Sequence, residues 1–169
     1  LDALRIKLPT AKFALEDSHG NFLSTERFQD ASFGVEAQAV DFERLRSAEA
    51  VRVVVFSVDS TAEEFGEAVR AIGLHGVTYS VGWTAWLDIA AEGVTKASAL
   101  EKVRSRLDID RKYTLAMGDG RNDIEMLGWA ARGGAMGQAP AEVLQAATEV
   151  TGTVYEDGAA TILRGLANS

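Results

Sequence analysis

Residues Tyr113–Asp123 read YTLAMGDGRND, and the organisation of the chain depends on this stretch. Tyr113–Met117 is a short, mostly apolar run without alternation, which predicts a strand buried on both faces of a parallel sheet. Glycines flank Asp119 on both sides, and a helical pattern begins three residues later. Asp119 is therefore predicted to follow the carboxyl end of a strand and Asp123 to lie in the first turn of a helix, where open α/β sheets bind ligands.

Asp119 and Asp123 lie four residues apart at this predicted loop. Two neighbouring carboxylates repel each other unless a cation lies between them, and a hard divalent ion such as Mg²⁺ prefers oxygen ligands. The same residues also fit a plain turn, with Asp119 as a turn residue and Asp123 as a favourable acid at a helix N-terminus. The spacing alone leaves both interpretations open.

Length and composition limit the class of protein. A chain of 169 residues, 47% hydrophobic and 25% charged, is typical of one globular domain or two small ones. No apolar run approaches the ~20 residues of a membrane span, so no membrane association is expected. Cysteine is absent, which excludes thiolate chemistry and fits a cytoplasmic location. The formal net charge of −8 argues against binding to nucleic acid.

The pattern of the chain changes near Ala91. The segment before it is rich in predicted strands, with helices that would cover one face of an antiparallel sheet. Trp83 and Trp86 lie in this part, where packing in a core is favoured over lining a ligand pocket. After Ala91, helices and strands alternate with short connections, which is typical of a parallel α/β sheet. We therefore predict two domains, residues 1–90 and residues 91–169.

Lys96 is predicted to begin a helix that ends near Leu107, with Thr95 as its N-cap. The apolar face of this helix is predicted to consist of Leu100, Val103 and Leu107. The positive end of a helix disfavours a cation by ~0.3–1 kcal/mol, so Lys96 is either simply solvated or meets an anion. Helix N-termini also bind phosphate. Lys96 would supply a cation for an anionic oxygen, and Asp119 and Asp123 would supply two carboxylates for a metal. These are charged groups that phosphoryl transfer needs, apart from a nucleophile.

From Leu87 onward the chain resembles the haloacid dehalogenase superfamily of phosphatases, specifically its Cof-type branch with a large inserted cap. The resemblance is carried by four ordered segments, Leu87–Leu100 (LDIAAEGVTKASAL), Gly118–Leu127 (GDGRNDIEML), Ala135–Val143 (AMGQAPAEV) and Glu156–Leu163 (EDGAATIL). Residues 1–90 resemble the cap of that branch more loosely, through the order of strands and helices. The resemblance implies a partial Rossmann-like parallel core in residues 91–169 and an α+β cap domain, which selects the substrate, in residues 1–90.

The resemblance also implies roles for four residues. Lys96 would steady the phosphoryl group and the nucleophile, Asp119 would ligate the metal, Asp123 would support the metal directly or through water, and Asn122 would contact the substrate phosphate. The implied reaction is Mg²⁺-dependent hydrolysis of a small, sugar-phosphate-like metabolite through an aspartyl-phosphate. A phosphomutase and a catalytically silent phosphate- and metal-binding regulatory domain remain alternatives, and the oligomeric state remains open.

The first motif of the family, an Asp-x-Asp-x-Thr-type strand end that supplies the nucleophile, does not occur in this chain. The chain begins with Leu1, which corresponds to the cap or its edge in the order of the family. We therefore expect the missing N-terminal segment of the same protein as a partner. In the family, its strand pairs beside the Tyr113 strand, whose TLAM run would otherwise present an open hydrophobic edge. The 169-residue chain alone is predicted to be inactive.

Overall fold

A computed structural model describes residues 1–26, 37–82 and 84–167 of the chain. The chain divides into two compact units, Leu1–Gly93 and a second unit that begins at Val94. Within the described ranges, no helix combines the length and the apolar character needed to cross a bilayer. Each unit has its own sheet.

The first unit contains a six-stranded sheet and three helices in its described part. Its elements are α1 (Asp2–Lys7), β1 (Lys12–Glu16), β2 (Phe22–Ser24), β3 (Gln38–Ala39), α2 (Phe42–Arg46), β4 (Arg52–Phe56), α3 (Ala62–Ile72), β5 (Val77–Val81) and β6 (Trp86–Ala91). The strand order is β3-β2-β1-β4-β6-β5, and only the pair of β2 and β3 is parallel. This layout confirms the α+β unit with an antiparallel sheet.

Helices cover one face of this sheet. Phe13, Val55 and Leu87 are register partners on three adjacent strands, and all three side chains are buried. They belong to one apolar core with Phe65 and Val69 of α3, both of which have no exposed surface. Because successive strand residues point to opposite faces, this row of apolar residues fixes which face the helices cover.

The opposite face of the sheet carries charged and aromatic side chains. Arg52 donates to the two carboxylate oxygens of Asp88 over 2.5 and 3.1 Å, and the indole Nε1 of Trp86 donates to the same carboxylate over 2.9 Å. The rings of Phe56 and Trp86 are 5.7 Å apart. Trp86 therefore packs on this face and not in the helix-covered core, whereas Trp83 lies outside the described residues.

The second unit contains a parallel sheet with the strand order β7-β8-β9. Its elements are α4 (Lys96–Arg106), a 3-10 helix (Arg111–Tyr113), β7 (Leu115–Gly118), a 3-10 helix (Arg121–Asp123), α5 (Ile124–Trp129), β8 (Arg132–Ala135), α6 (Ala141–Ala146), β9 (Glu149–Val150), a 3-10 helix (Val154–Glu156) and α7 (Gly158–Ala167). Each crossover between neighbouring parallel strands of this sheet contains a helix, as is usual for parallel pairing. This layout confirms the predicted α/β sheet.

The first strand of this sheet differs from the prediction at its start. β7 begins at Leu115, because Tyr113 ends a 3-10 helix and is 74% exposed. Ala116 is buried, but Leu115 and Met117 are only half-buried, so the expectation of burial on both faces is wrong for most of the strand. Among the described residues, β7 pairs with β8 on one edge and with no strand on the other.

Helix α4 is held by polar contacts and not by the predicted apolar face. Val103 is 50% exposed and Leu107, which follows the helix, is 63% exposed, so that prediction was wrong for these two residues, whereas Leu100 is half-buried. The carboxylate of Glu101 accepts a hydrogen bond from Arg104 over 2.6 Å and from the indole Nε1 of Trp129, at the end of α5, over 2.8 Å. The helix that begins with Lys96 is thereby tied to α5 through its polar side.

The Glu101 contacts predict an acid-sensitive contribution to stability. The hydrogen bond from Arg104, followed by the one from Trp129, lowers the pKa of Glu101 from 4.5 to about 2. A carboxyl group whose pKa is lowered by folding stabilises the folded state above its unfolded pKa, and loses that contribution as the pH falls towards its folded pKa. Glu101→Gln is therefore expected to lower the melting temperature at pH 7.

Circular dichroism melts between pH 7 and pH 2 test this expectation. The difference in melting temperature between the two proteins should shrink as the pH falls from about 5 to about 2, because the wild-type carboxylate becomes protonated in that range. Glu67→Gln, at an exposed position in the middle of α3, is the control and should show little difference at any pH. A difference for Glu101→Gln that stays constant down to pH 2 would contradict the assigned role of the carboxylate.

Candidate functional site

The loop after β7 is built on the side chain of Asp123. Its carboxylate turns back under the loop, where Oδ2 accepts hydrogen bonds from the backbone amides of Asp119 and Gly120, each over 3.0 Å. Asp123 is 4% exposed, and such buried carboxylates are held by hydrogen-bond donors. Asp123 therefore fixes the backbone that carries Asp119.

Gly118, the last residue of β7, makes this arrangement sterically feasible. A Cβ atom at this position would lie 2.4–2.5 Å from the carboxyl atoms and Cβ of Asp123. Only a residue without a side chain lets the end of the strand approach the carboxylate so closely. The glycine before Asp119 therefore serves the Asp123 contact and not only the turn.

Lys96 meets the second oxygen of the same carboxylate. It is the first residue of α4, and its Nζ donates to Oδ1 of Asp123 over 2.5 Å. Thr95 caps the helix through a reciprocal pair of hydrogen bonds with Ser98, which fixes the point from which the Lys96 side chain leaves. The Lys96 side chain is 47% exposed, so its ammonium group keeps a solvent-facing side.

Asp119 lies half-buried at the same end of the sheet. Its Oδ2 accepts a hydrogen bond from Nε2 of Gln138 over 3.0 Å, and Oδ1 accepts none from the described residues. Gln138 belongs to the quoted AMGQAP segment, but sequence reasoning gave it no role. The usable signal was its position just after a parallel strand, because the carboxyl ends of neighbouring parallel strands share one edge of the sheet.

Two neighbouring side chains of the loop form no hydrogen bond with Lys96, Asp119 or Asp123 among the described residues. Asn122 is exposed and forms no side-chain hydrogen bond to the described residues, and its Oδ1 lies over Gly120. Arg121 pairs with Glu142 at the start of α6 over 2.6 Å. The pKa of Glu142 is lowered by its own backbone amide and then by Arg121. Asp123 thus contacts Lys96 through one oxygen and the backbone of Asp119 through the other, while the predicted phosphate and metal roles of Lys96, Asp119, Asn122 and Asp123 stay predictions.

The carboxylates of Asp119 and Asp123 are the candidate ligands for Mg²⁺ at this loop. Three or more His, Cys, Asp or Glu side chains do not gather around one point anywhere in the described ranges. Mg²⁺ is commonly held by one or two carboxylates together with waters and phosphate oxygens. Asp119 fits such a role through Oδ1. Three of the roughly four lone-pair sites of the Asp123 carboxylate accept hydrogen bonds from Lys96 and two backbone amides, and its support of the metal, directly or through water, stays a prediction.

The chain belongs to the haloacid dehalogenase-like hydrolases, whose family profile matches residues 10–163. A 5-amino-6-(5-phospho-D-ribitylamino)uracil phosphatase of Bacillus subtilis is 41% identical over 78 residues, which cover 46% of this chain and 31% of that protein. A phosphoglycolate phosphatase of Haloarcula marismortui is 31% identical over 151 residues, which cover 88% of this chain and 63% of that protein.

A solved structure of a subclass IIB sugar phosphatase of the haloacid dehalogenase superfamily resembles the chain with a TM-score of 0.78. The two are 26% identical, and the match covers 98% of this chain and 64% of that one. The chain therefore spans less than two thirds of each of these three relatives. These matches confirm the haloacid dehalogenase resemblance and the fold class.

The close approach at Gly118 generates a test of the site geometry. Gly118→Ala is expected to displace the Asp123 carboxylate and to lower the free energy of unfolding by ~1–3 kcal/mol, as overpacked buried sites do. Gly128→Ala in α5 is the matched control, because its added Cβ would meet no atom within 4 Å. Alanine is favoured over glycine in a helix, so the control should be unchanged or more stable by up to ~1 kcal/mol. Equal urea denaturation midpoints for Gly118→Ala and wild type would refute the steric argument.

Proposed function

We propose that this chain is part of a Mg²⁺-dependent phosphomonoester hydrolase that acts on small phosphorylated metabolites. The observation that carries the proposal is the arrangement of Lys96, Asp123 and Asp119 at one end of the parallel sheet. The half-exposed ammonium group of Lys96 is held by the buried carboxylate of Asp123. The same carboxylate holds the loop that carries Asp119, whose Oδ1 accepts no hydrogen bond from the described residues. The phosphatase names of the relatives support the reaction class.

In this proposal each residue has a separate task. Lys96 would bind a phosphate oxygen with the solvent-facing side of its ammonium group, since a fixed cation stabilises the charge of the transferring phosphoryl group. Asp123 would hold Lys96 and the loop backbone in place. Asp119 would bind Mg²⁺ through Oδ1, and the bound ion would neutralise and orient the phosphate. The exposed amide of Asn122 would donate to a phosphate oxygen.

The proposed hydrolysis also needs a nucleophile that neither aspartate of the loop can readily supply. Asp123 is buried and held through both oxygens by Lys96 and the loop backbone, and Asp119 is proposed as the metal ligand. We propose that a carboxylate from a further segment of the protein forms the aspartyl-phosphate, which water then hydrolyses. The edge of β7 that pairs with no described strand and the greater length of the relatives support this part of the proposal.

We further propose that residues 1–90 form the cap that selects the substrate. The sheet face opposite the helices supports this role, because it carries hydrogen-bonding and aromatic groups together. Arg52, Asp88 and Trp86 form one connected set on that face. Such groups suit a polyol or ring-shaped leaving group, which offers hydroxyls to the charged pair and a flat surface to the indole.

Phosphate release from generic phosphomonoesters tests the proposed reaction. A longer protein that contains this chain is expected to release inorganic phosphate with Mg²⁺ and to lose activity with a chelator. Lys96→Met and Asp119→Asn are each expected to lower kcat by about 10²–10³-fold, the cost of removing one transition-state contact. Lys102→Met, at an exposed position of the same helix, is the matched control and should keep full activity. The 169-residue chain alone is expected to release no phosphate.

The same assays separate the alternative functions. Release of inorganic phosphate by the 169-residue chain alone would contradict the need for a nucleophile from a further segment of the protein. Transfer of a phosphoryl group between two positions of a sugar, without net release of phosphate, would identify a phosphomutase. If the longer protein binds phosphate and Mg²⁺ but turns over no substrate, the silent regulatory domain is the correct interpretation.

A further inference from the structure

Gln138 lies between β8 and α6, where its side-chain amide spans two loops. Nε2 donates to Oδ2 of Asp119, and Oε1 accepts from the backbone amide of Val154, each over 3.0 Å. A carboxylate can only accept and a backbone amide can only donate, so the two partners determine which end of the amide faces which loop. Gln138 thereby links the loop after β7 to the loop after β9.

The backbone next to Gln138 is held tightly against the loop after β9. The amide of Gly137 donates to the carbonyl oxygen of Gly152 over 3.1 Å. A Cβ atom on Gly137 would lie 3.0 Å from the carbonyl oxygen of Thr151, which leaves little room for any other residue there. The Gln138 side chain therefore leaves from a fixed point, although it is itself exposed to solvent.

We propose that Gln138 is a positioning residue for the Asp119 carboxylate, an inference that rests on the proposed metal role of Asp119. With Oδ2 held by the amide, the carboxylate presents Oδ1 as the oxygen without a donor among the described residues. This favours binding of a divalent cation through one oxygen. Hydrogen-bond partners of a ligating group orient it and change its metal affinity. An amide suits this task because it donates a hydrogen bond without a positive charge that would repel the cation.

The contact itself can be tested by NMR on the isotope-labelled 169-residue chain. The side-chain amide proton signals of Gln138 are expected to shift in Asp119→Ala, because their acceptor is removed. They should stay in place in Glu125→Ala, which removes an exposed acid of α5. Unshifted Gln138 signals in Asp119→Ala would overturn the inference.

A Mn²⁺ titration tests the consequence for cation binding. Mn²⁺ broadens nearby signals, so the backbone amides of Asp119 and Gly120 report its binding. Gln138→Met keeps the length of the side chain without the amide and is expected to need about 10-fold more Mn²⁺ for equal broadening. Gln145→Met, at an exposed position of α6, is the matched control and should titrate like the wild type.

The outcomes distinguish this inference from the proposed function. Equal Mn²⁺ titrations of Gln138→Met and wild type, with equal melting temperatures, would overturn a role for Gln138 in cation binding. A wild-type chain in which no signal near Asp119 responds to Mn²⁺ would contradict the metal site of the proposed function. In that case the Asp119→Ala spectrum still decides whether Gln138 contacts the Asp119 carboxylate.

Discussion

The buried carboxylate of Asp123 is the interaction on which the rest of the second unit's site depends. One oxygen holds two loop amides and the other holds the Lys96 ammonium group. A buried carboxylate left without such donors would cost several kcal/mol, so the loop and the lysine are bound to it jointly. Asp123 therefore connects a strand end and a helix start that are distant in the sequence but must be close for the phosphate binding that we propose.

Much of the fold follows from local sequence signals. The start of α4 at Lys96 and its N-cap at Thr95 were both predicted and both form, because capping chemistry is decided within four residues. The parallel layout of the second unit also followed from the alternation of helix and strand patterns. The apolar face of α4 was predicted only in part, since Glu101 ties the helix to α5 while Val103 and Leu107 remain exposed.

The sequence predicted which charged residues gather at the candidate site but not which of them contact each other. The sequence placed Asp119 and Asp123 at one strand end, and the repulsion between carboxylates suggested a shared cation. In the structure the cation that meets Asp123 is the ammonium group of Lys96, which comes from another element. Gln138 was missed for the same reason, because its hydrogen bonds join loops that only the folded sheet brings side by side.

The link between Glu101 and the indole of Trp129 has a practical consequence for spectroscopy. The chain has three tryptophans, and Trp129 is the one in the second unit, where the carboxylate of α4 contacts its ring nitrogen. Indole emission depends on the polarity around the ring. Replacing Trp83 and Trp86 by phenylalanine would leave Trp129 as an intrinsic fluorophore. Its emission maximum would then report when the helix carrying Lys96 docks or detaches, independently of the first unit.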